Sequence, residues 1–182
     1  MVRERFTQKI LEVKQKVLKM GALVENIIDT AVTALKTQDL ELARNVLKKD
    51  DEIDQLELEI EKECMMLLAL QQPLAKDLRT IASVLKIITD LERMGDNAVN
   101  IAEVILEIGE EPIMNSLKDI PRMAEIAQKM LKMSLDAFVN EDIALAQKAA
   151  ERDEDVDRLY ETVINEILNI ITEKKGTYKT RY

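Results

Sequence analysis

Glu92, Asp96 and Asn100 stand four residues apart in ITDLERMGDNAVNIAE, residues 88–103. On a helix this spacing stacks their oxygens into one ridge. A second acidic ridge precedes it, where Asp50, Asp54, Glu57 and Glu61 run at i, i+4, i+7 and i+11 beside the apolar Ile53, Leu56 and Ile60. Carboxylates so gathered repel one another, and a bound cation relieves the repulsion. Carboxylate and amide oxygens are hard donors, suited to Mg²⁺, Ca²⁺, Mn²⁺ or ferric iron rather than zinc. The candidate ligands for a metal ion, iron or another oxygen-preferring cation, are Asp50, Asp54, Glu92, Asp96 and Asn100.

A plainer reading competes. With 34% of residues charged, acidic pairs at i, i+4 recur by composition, and Arg93 or Lys49 are at hand to pair with them on a solvated face. Spacing leaves both readings open. A third, two carboxylates acting as general acid and base on a glycoside, needs a sugar cleft that long helices and 3% aromatics do not offer. The chain also contains no histidine. That removes Ser-His-Asp and Cys-His catalysis, imidazole metal sites and di-iron bundles of the Glu-x-x-His type. No catalytic residue and no organic-cofactor site is assigned.

The elements that must position these acids are helices. Four glycines and three prolines in 182 residues, with few aromatics, describe an all-α chain. The breaks divide it into helices near 4–37, 40–71, 74–108, 118–139 and 143–175, with Asp39 and Asp142 as N-caps, Pro73 in a first turn and Gly109 and Gly176 as stops. Helices of about 33 residues are about 50 Å long. In the third, a seam reads Leu74, Leu78, Ile81, Leu85, Ile88, Glu92, Gly95, Val99, Ala102, Leu106, so a carboxylate and a glycine interrupt an apolar stripe. Glycine inside a helix costs about 1 kcal/mol relative to alanine, so something local must offset it. If helices two and three are antiparallel about Pro73, Asp50 comes level with residue 95 and Asp54 with residue 91; Glu25 and Asp29 of helix one fall roughly level too.

The chain repeats itself. LKTQDLELARNVLKKDDEIDQL aligns without a gap to FVNEDIALAQKAAERDEDVDRL at an offset of 103, matching Asp39 with Asp142, Ala43 with Ala146, Asp50 with Asp153, Asp54 with Asp157 and Leu56 with Leu159. The expected organisation is a three-helix repeat over 1–109 and a second, incomplete repeat of two helices over 110–182. A third helix of the second repeat would start near 177, and truncation is the favoured account of its absence.

A net charge of −9 gives no basic footprint for nucleic acid or anionic lipid. The single Cys64, beside Met65, Met66, Leu67 and Leu68, reads as a buried core thiol, and the methionines, among them Met65, Met66, Met123, Met130 and Met133, as core filler. No signal peptide and no apolar run of membrane-spanning length is present, so a soluble cytoplasmic protein is expected.

QQPLAKDLRTIASVLKIITDLERMGDNAVNIAE, residues 71–103, resembles the third-helix signature of the PhoU phosphate-regulator family. LVENIIDTAVTALKTQDLELA, DDEIDQLELEIEKEC and the repeated helical unit are similar to it as well. The resemblance implies tandem three-helix bundles of long antiparallel helices, and in each repeat a Glu/Asp-x-x-x-Asp motif implicated in binding metal clusters. Here that motif falls on Glu92 and Asp96, preceded by Asp90 and followed by Asn100; its second-repeat counterpart lies beyond Tyr182. In the second repeat Asp153 and Asp157 persist, while Tyr160 and Ile164 replace Glu57 and Glu61. The resemblance further implies a cytoplasmic, commonly dimeric, non-enzymatic negative regulator of phosphate uptake and phosphate-starvation signalling, whose partners are a phosphate ABC transporter ATPase and a sensor histidine kinase. Its rivals are a metal-dependent carboxylate enzyme and a purely structural bundle without metal.

Overall fold

The computed structural model describes residues 2–71, 74–110 and 119–179, and among them every regular element is an α-helix. They are α1 (Val2–Thr37), α2 (Leu40–Gln71), α3 (Ala75–Ile108), α4 (Ile120–Asn140), α5 (Ile143–Glu151) and α6 (Asp153–Lys179). The expected all-α class holds. The chain divides into two compact units, Met1–Gly109 and Glu110–Tyr182.

In the first unit α1, α2 and α3 each pack against the other two. The core follows heptad spacing: Val17, Met20, Val24 and Ile27 from α1, Val46, Ile53 and Ile60 from α2, and Ile81, Ile88, Leu91 and Ile105 from α3 are all buried. The chain reverses between α1 and α2 through Gln38, whose backbone is left-handed at φ 51°. Asp39 then caps α2, its Oδ1 accepting from the backbone N–H of Glu41 at 2.9 Å and of Leu42 at 3.0 Å. Gly109, at φ 64°, ends α3 and donates its N–H to the Ile105 carbonyl. Pro73 lies outside the described residues.

The second unit repeats this hairpin. Glu141 takes the left-handed conformation at φ 54°, Asp142 donates its N–H to the Ala137 carbonyl as Asp39 does to Ala34, and Asp142 Oδ1 accepts from Leu145 N–H at 3.0 Å. The fifth expected helix differs: it is two pieces, α5 and α6, parted at Arg152, whose N–H bonds the Ala149 carbonyl in a tighter turn. Asp153, Glu154 and Asp155 follow. Acids favour the positive end of a helix, and this run makes a new N-terminus in the middle of the expected one. At its far end α6 continues through Gly176 to Lys179. Leu131, Leu135, Ala137, Ala149 and Val163 are buried in this unit.

The methionine expectation needs correcting. Met20 is fully buried, but Met65 and Met66 are 54% and 46% exposed, because the buried stripe of α2 runs Ile53, Leu56, Ile60, Cys64, Leu67 along the other side of the helix. Met123, Met130 and Met133 are only half-buried. Cys64 is fully buried as expected, and burial pushes its thiol up to about 11, with Glu63 adding to the effect. Among the described residues no helix is long and apolar enough to cross a membrane.

Candidate metal centre

The acidic residues sit along the edge where α2 meets α3. The buried stripe of α3 is Ile81, Val84, Ile88, Leu91, Gly95, Ala98, Ala102, Ile105. It shares every seventh residue with the expected seam but is turned by one residue between them: Leu85, Glu92, Val99 and Leu106 are half-buried, and Leu74 and Leu78 are exposed. A helix packed between two others covers both sides of its seam, so Leu91 takes the core position and Glu92 the flank. Glu92 therefore borders the apolar stripe instead of interrupting it. Gly95 alone interrupts it, and Gly95 is buried.

What Gly95 makes room for is Asp50. A Cβ placed on residue 95 would lie 3.0 Å from Asp50 Oδ1 and 3.3 Å from Ile53 Cδ1. The expected level of Asp50 with residue 95 thus holds, and the missing Cβ accounts for the glycine. Asp50 Oδ1 is buried and, among the described residues, has no hydrogen-bond partner. An unpartnered buried carboxylate oxygen carries a desolvation penalty that the surroundings must offset or protonation must remove. Burial pushes the Asp50 carboxyl up to about 6, with the charges of Asp54, Asp96 and Asp51 adding to the shift.

Asp54, on the next turn of α2, is exposed, and its carboxyl is raised by partial desolvation and then by Asp96 and Asp51. The half-buried Glu92 is raised first by desolvation, then by Asp96, Glu57, Asp54 and Asp50 in that order. Asp96 is exposed and acts on all three. Four of the five candidates therefore share one electrostatic neighbourhood. Asn100 is exposed on α3, and no hydrogen bond ties it to them. Glu57, which spacing placed in the ridge but not among the ligands, belongs to the cluster too: it acts on Glu92 and accepts a hydrogen bond from Thr89 Oγ1 at 3.1 Å across the helix pair. Its i+7 position from Asp50 was the signal that could have included it.

The cations expected to neutralise this edge are elsewhere. Lys49 donates to Asn26 Oδ1 at 2.6 Å and toward Thr30 Oγ1, on the α1 side, while Arg93 lies 3.8 Å from Asp90. Among the described residues, the charges that add to the desolvation of Asp50, Asp54 and Glu92 are those of other carboxylates. The salt-bridged version of the plain reading therefore does not describe this edge. Nor is it a formed coordination sphere: among the described residues, no three Asp, Glu or Cys side chains converge closely enough to hold a metal ion as they stand. The donor chemistry and the orphaned Asp50 oxygen suit a hard cation; the exposed Asp54 and Asp96 would have to turn inward to meet one.

A family model described as the PhoU domain matches residues 17–105 and again 120–181. The chain belongs to the PhoU family. A phosphate-specific transport system accessory protein PhoU homolog of Aquifex aeolicus is 43% identical over 172 residues, 94% of this chain and 78% of that protein. The crystal structure of PhoU from Pseudomonas aeruginosa superposes with a TM-score of 0.88 at 36% identity, covering 96% of this chain and 84% of that one. That of the phosphate transport system regulatory protein PhoU from Streptococcus pneumoniae gives 0.86 at 32% identity, covering 92% and 79%. The two PhoU-domain matches fall one in each compact unit, with the acidic edge in the first.

Proposed function

We propose that this PhoU-family chain is a non-enzymatic accessory regulator of phosphate transport, whose acidic α2–α3 edge takes up a hard metal ion. The observation that carries the cation reading is the buried Asp50 Oδ1 over Gly95, without a hydrogen-bond partner among the described residues, where Asp50, Asp54 and Glu92 are all raised by desolvation and by neighbouring carboxylates. Asp50, Asp54, Glu92 and Asp96 would hold the ion, iron or another oxygen-preferring cation, and Asn100 would border it. The regulatory reading is supported by the names of the relatives, which are transport accessory and regulatory proteins. In it the chain acts in the cytoplasm as a dimer of two-repeat subunits, 1–109 and 110–182, and restrains phosphate-starvation signalling by linking a phosphate ABC transporter ATPase to a sensor histidine kinase.

Two experiments test this. Chelator-stripped protein is titrated with Mn²⁺, Mg²⁺, Ca²⁺ and iron while heat and thermal stability are recorded; uptake lost in Glu92→Ala and Asp96→Ala is expected, and no uptake of any of them overturns the metal reading. A pull-down with the purified transporter ATPase and kinase, at high and low phosphate, is expected to retain both in a phosphate-dependent way. Contact with neither overturns the linking role, and turnover of a phosphate ester abolished by Glu92→Ala overturns the non-enzymatic one.

A further inference from the structure

Away from the acidic edge, α1 and α2 leave an apolar groove of about 310 Å³ near the start of α1. Its floor is Phe6, Val13 and Leu67, which are 6%, 2% and 8% exposed, and its outer wall is Met66. Met65 and Leu58, seven residues apart on α2, are exposed too, but they lie roughly a quarter turn round the helix from Met66 and outside the groove.

The charges at the mouth are unequal. Lys9 is held by Glu12 at 2.6 Å, and Glu63 is held by Lys16 at 2.7 Å. Arg5, the remaining charged lining residue, is exposed and has no ion-pair partner among the described residues. On a chain of net charge −9 the groove therefore opens beside an uncompensated positive charge.

We infer that this groove docks an amphipathic helix of a partner protein, with two bulky apolar side chains entering between Phe6 and Met66 and an acidic side chain closing on Arg5. A helix fits because it presents apolar residues as a stripe, and Phe6 and Val13 of α1 with Met66 and Leu67 of α2 line a groove between two helices that can receive one. The Met66 wall fits because an unbranched thioether side chain re-packs around different anchors. The acidic residue is required by Arg5, the charge left over at the mouth. This surface shares no residue with the acidic edge, so it is independent of the cation reading.

The test uses the full chain and a fluorescein-labelled designed peptide, about five helical turns long, with Leu at i, i+4 and i+7 flanked by Glu. Fluorescence anisotropy is expected to show saturable binding, about tenfold weaker for Met66→Glu and for Arg5→Glu. Both sites are exposed, and an unchanged circular dichroism spectrum confirms that each variant is folded. A peptide with the flanking Glu exchanged for Lys should bind Arg5→Glu better than the parent protein, and chelation should change neither. Absence of saturable binding overturns the inference, as does binding that neither substitution weakens. Binding to phosphatidylglycerol vesicles lost in Arg5→Glu, with no peptide binding, overturns it in favour of a lipid surface.

Discussion

Asp50 of α2 rests on Gly95 of α3, its buried Oδ1 3.0 Å from where a Cβ at residue 95 would be. The contact joins a residue that weakens its own helix to one that is costly to bury, and neither is explained without the other.

A side chain at residue 95 would have to displace Ile53, which is 1% exposed, and the Asp50 carboxyl together. Gly95→Leu should therefore destabilise the protein by about 2 kcal/mol, the scale of overpacking in a closed interface, although leucine is the better helix former. Urea unfolding of the two proteins measures the difference; an unchanged midpoint would mean that α2 and α3 separate freely there.

Asp50 makes stability depend on pH in the metal-free protein. The folded chain keeps this proton up to about 6, whereas the carboxyl ordinarily releases it near 3.8. Between those values the folded state binds more protons than the unfolded one, so this group's contribution to stability falls as pH rises through the window. Asp50→Asn should flatten that fall and raise stability at pH 7 by about 1 kcal/mol. Thermal unfolding from pH 4 to 7 checks it, and a variant that loses stability at pH 7 would contradict it. With a cation bound, the order reverses: the carboxylate is the useful form and Asn the poorer ligand.

The two aspartate caps should be similar in effect. Asp39 satisfies the N–H groups of Glu41 and Leu42, and Asp142 that of Leu145. Asp39→Ala and Asp142→Ala should each cost about 1 kcal/mol, with Asn in either place restoring most of it. Thermal melts of the four variants decide this.

Cys64 is fully buried, and its thiol is pushed up to about 11. Native protein at pH 8 should resist iodoacetamide over the time in which urea-unfolded protein is fully alkylated, because the thiolate is the reacting form. Mass spectrometry reads the difference directly, and rapid native labelling would mean that α2 opens locally at this turn.

How legible all this was depends on how local each feature is. Asp39, Asp142 and Gly109 could be read because a cap is decided within a few residues of the chain. The level of Asp50 with Gly95 followed from a single turn position and the helical rise. The side of the seam on which Glu92 lies did not follow, since a four-three pattern is met equally by Leu91 and by Glu92 until the neighbouring helices fix the rotation. The same ambiguity hid the exposure of Met65 and Met66, which an apolar run cannot assign to one face or the other. The division at Arg152 has no Gly or Pro to announce it; three successive acids perform it. The Lys49 contacts were out of reach, because a lysine stem reaches neutral oxygens on α1 as readily as carboxylates on α3.

Lys16 joins Glu59 and Glu63, and Lys49 reaches Asn26 and Thr30, all between α1 and α2. Lys16 and Lys49 are thus engaged on the α1–α2 seam, and neither reaches the acids of the α2–α3 edge. The unit is consequently lopsided as an electrical object, with a neutralised flank and a charged one. In the field of a cationic surface it would turn its α2–α3 edge forward before any specific contact formed.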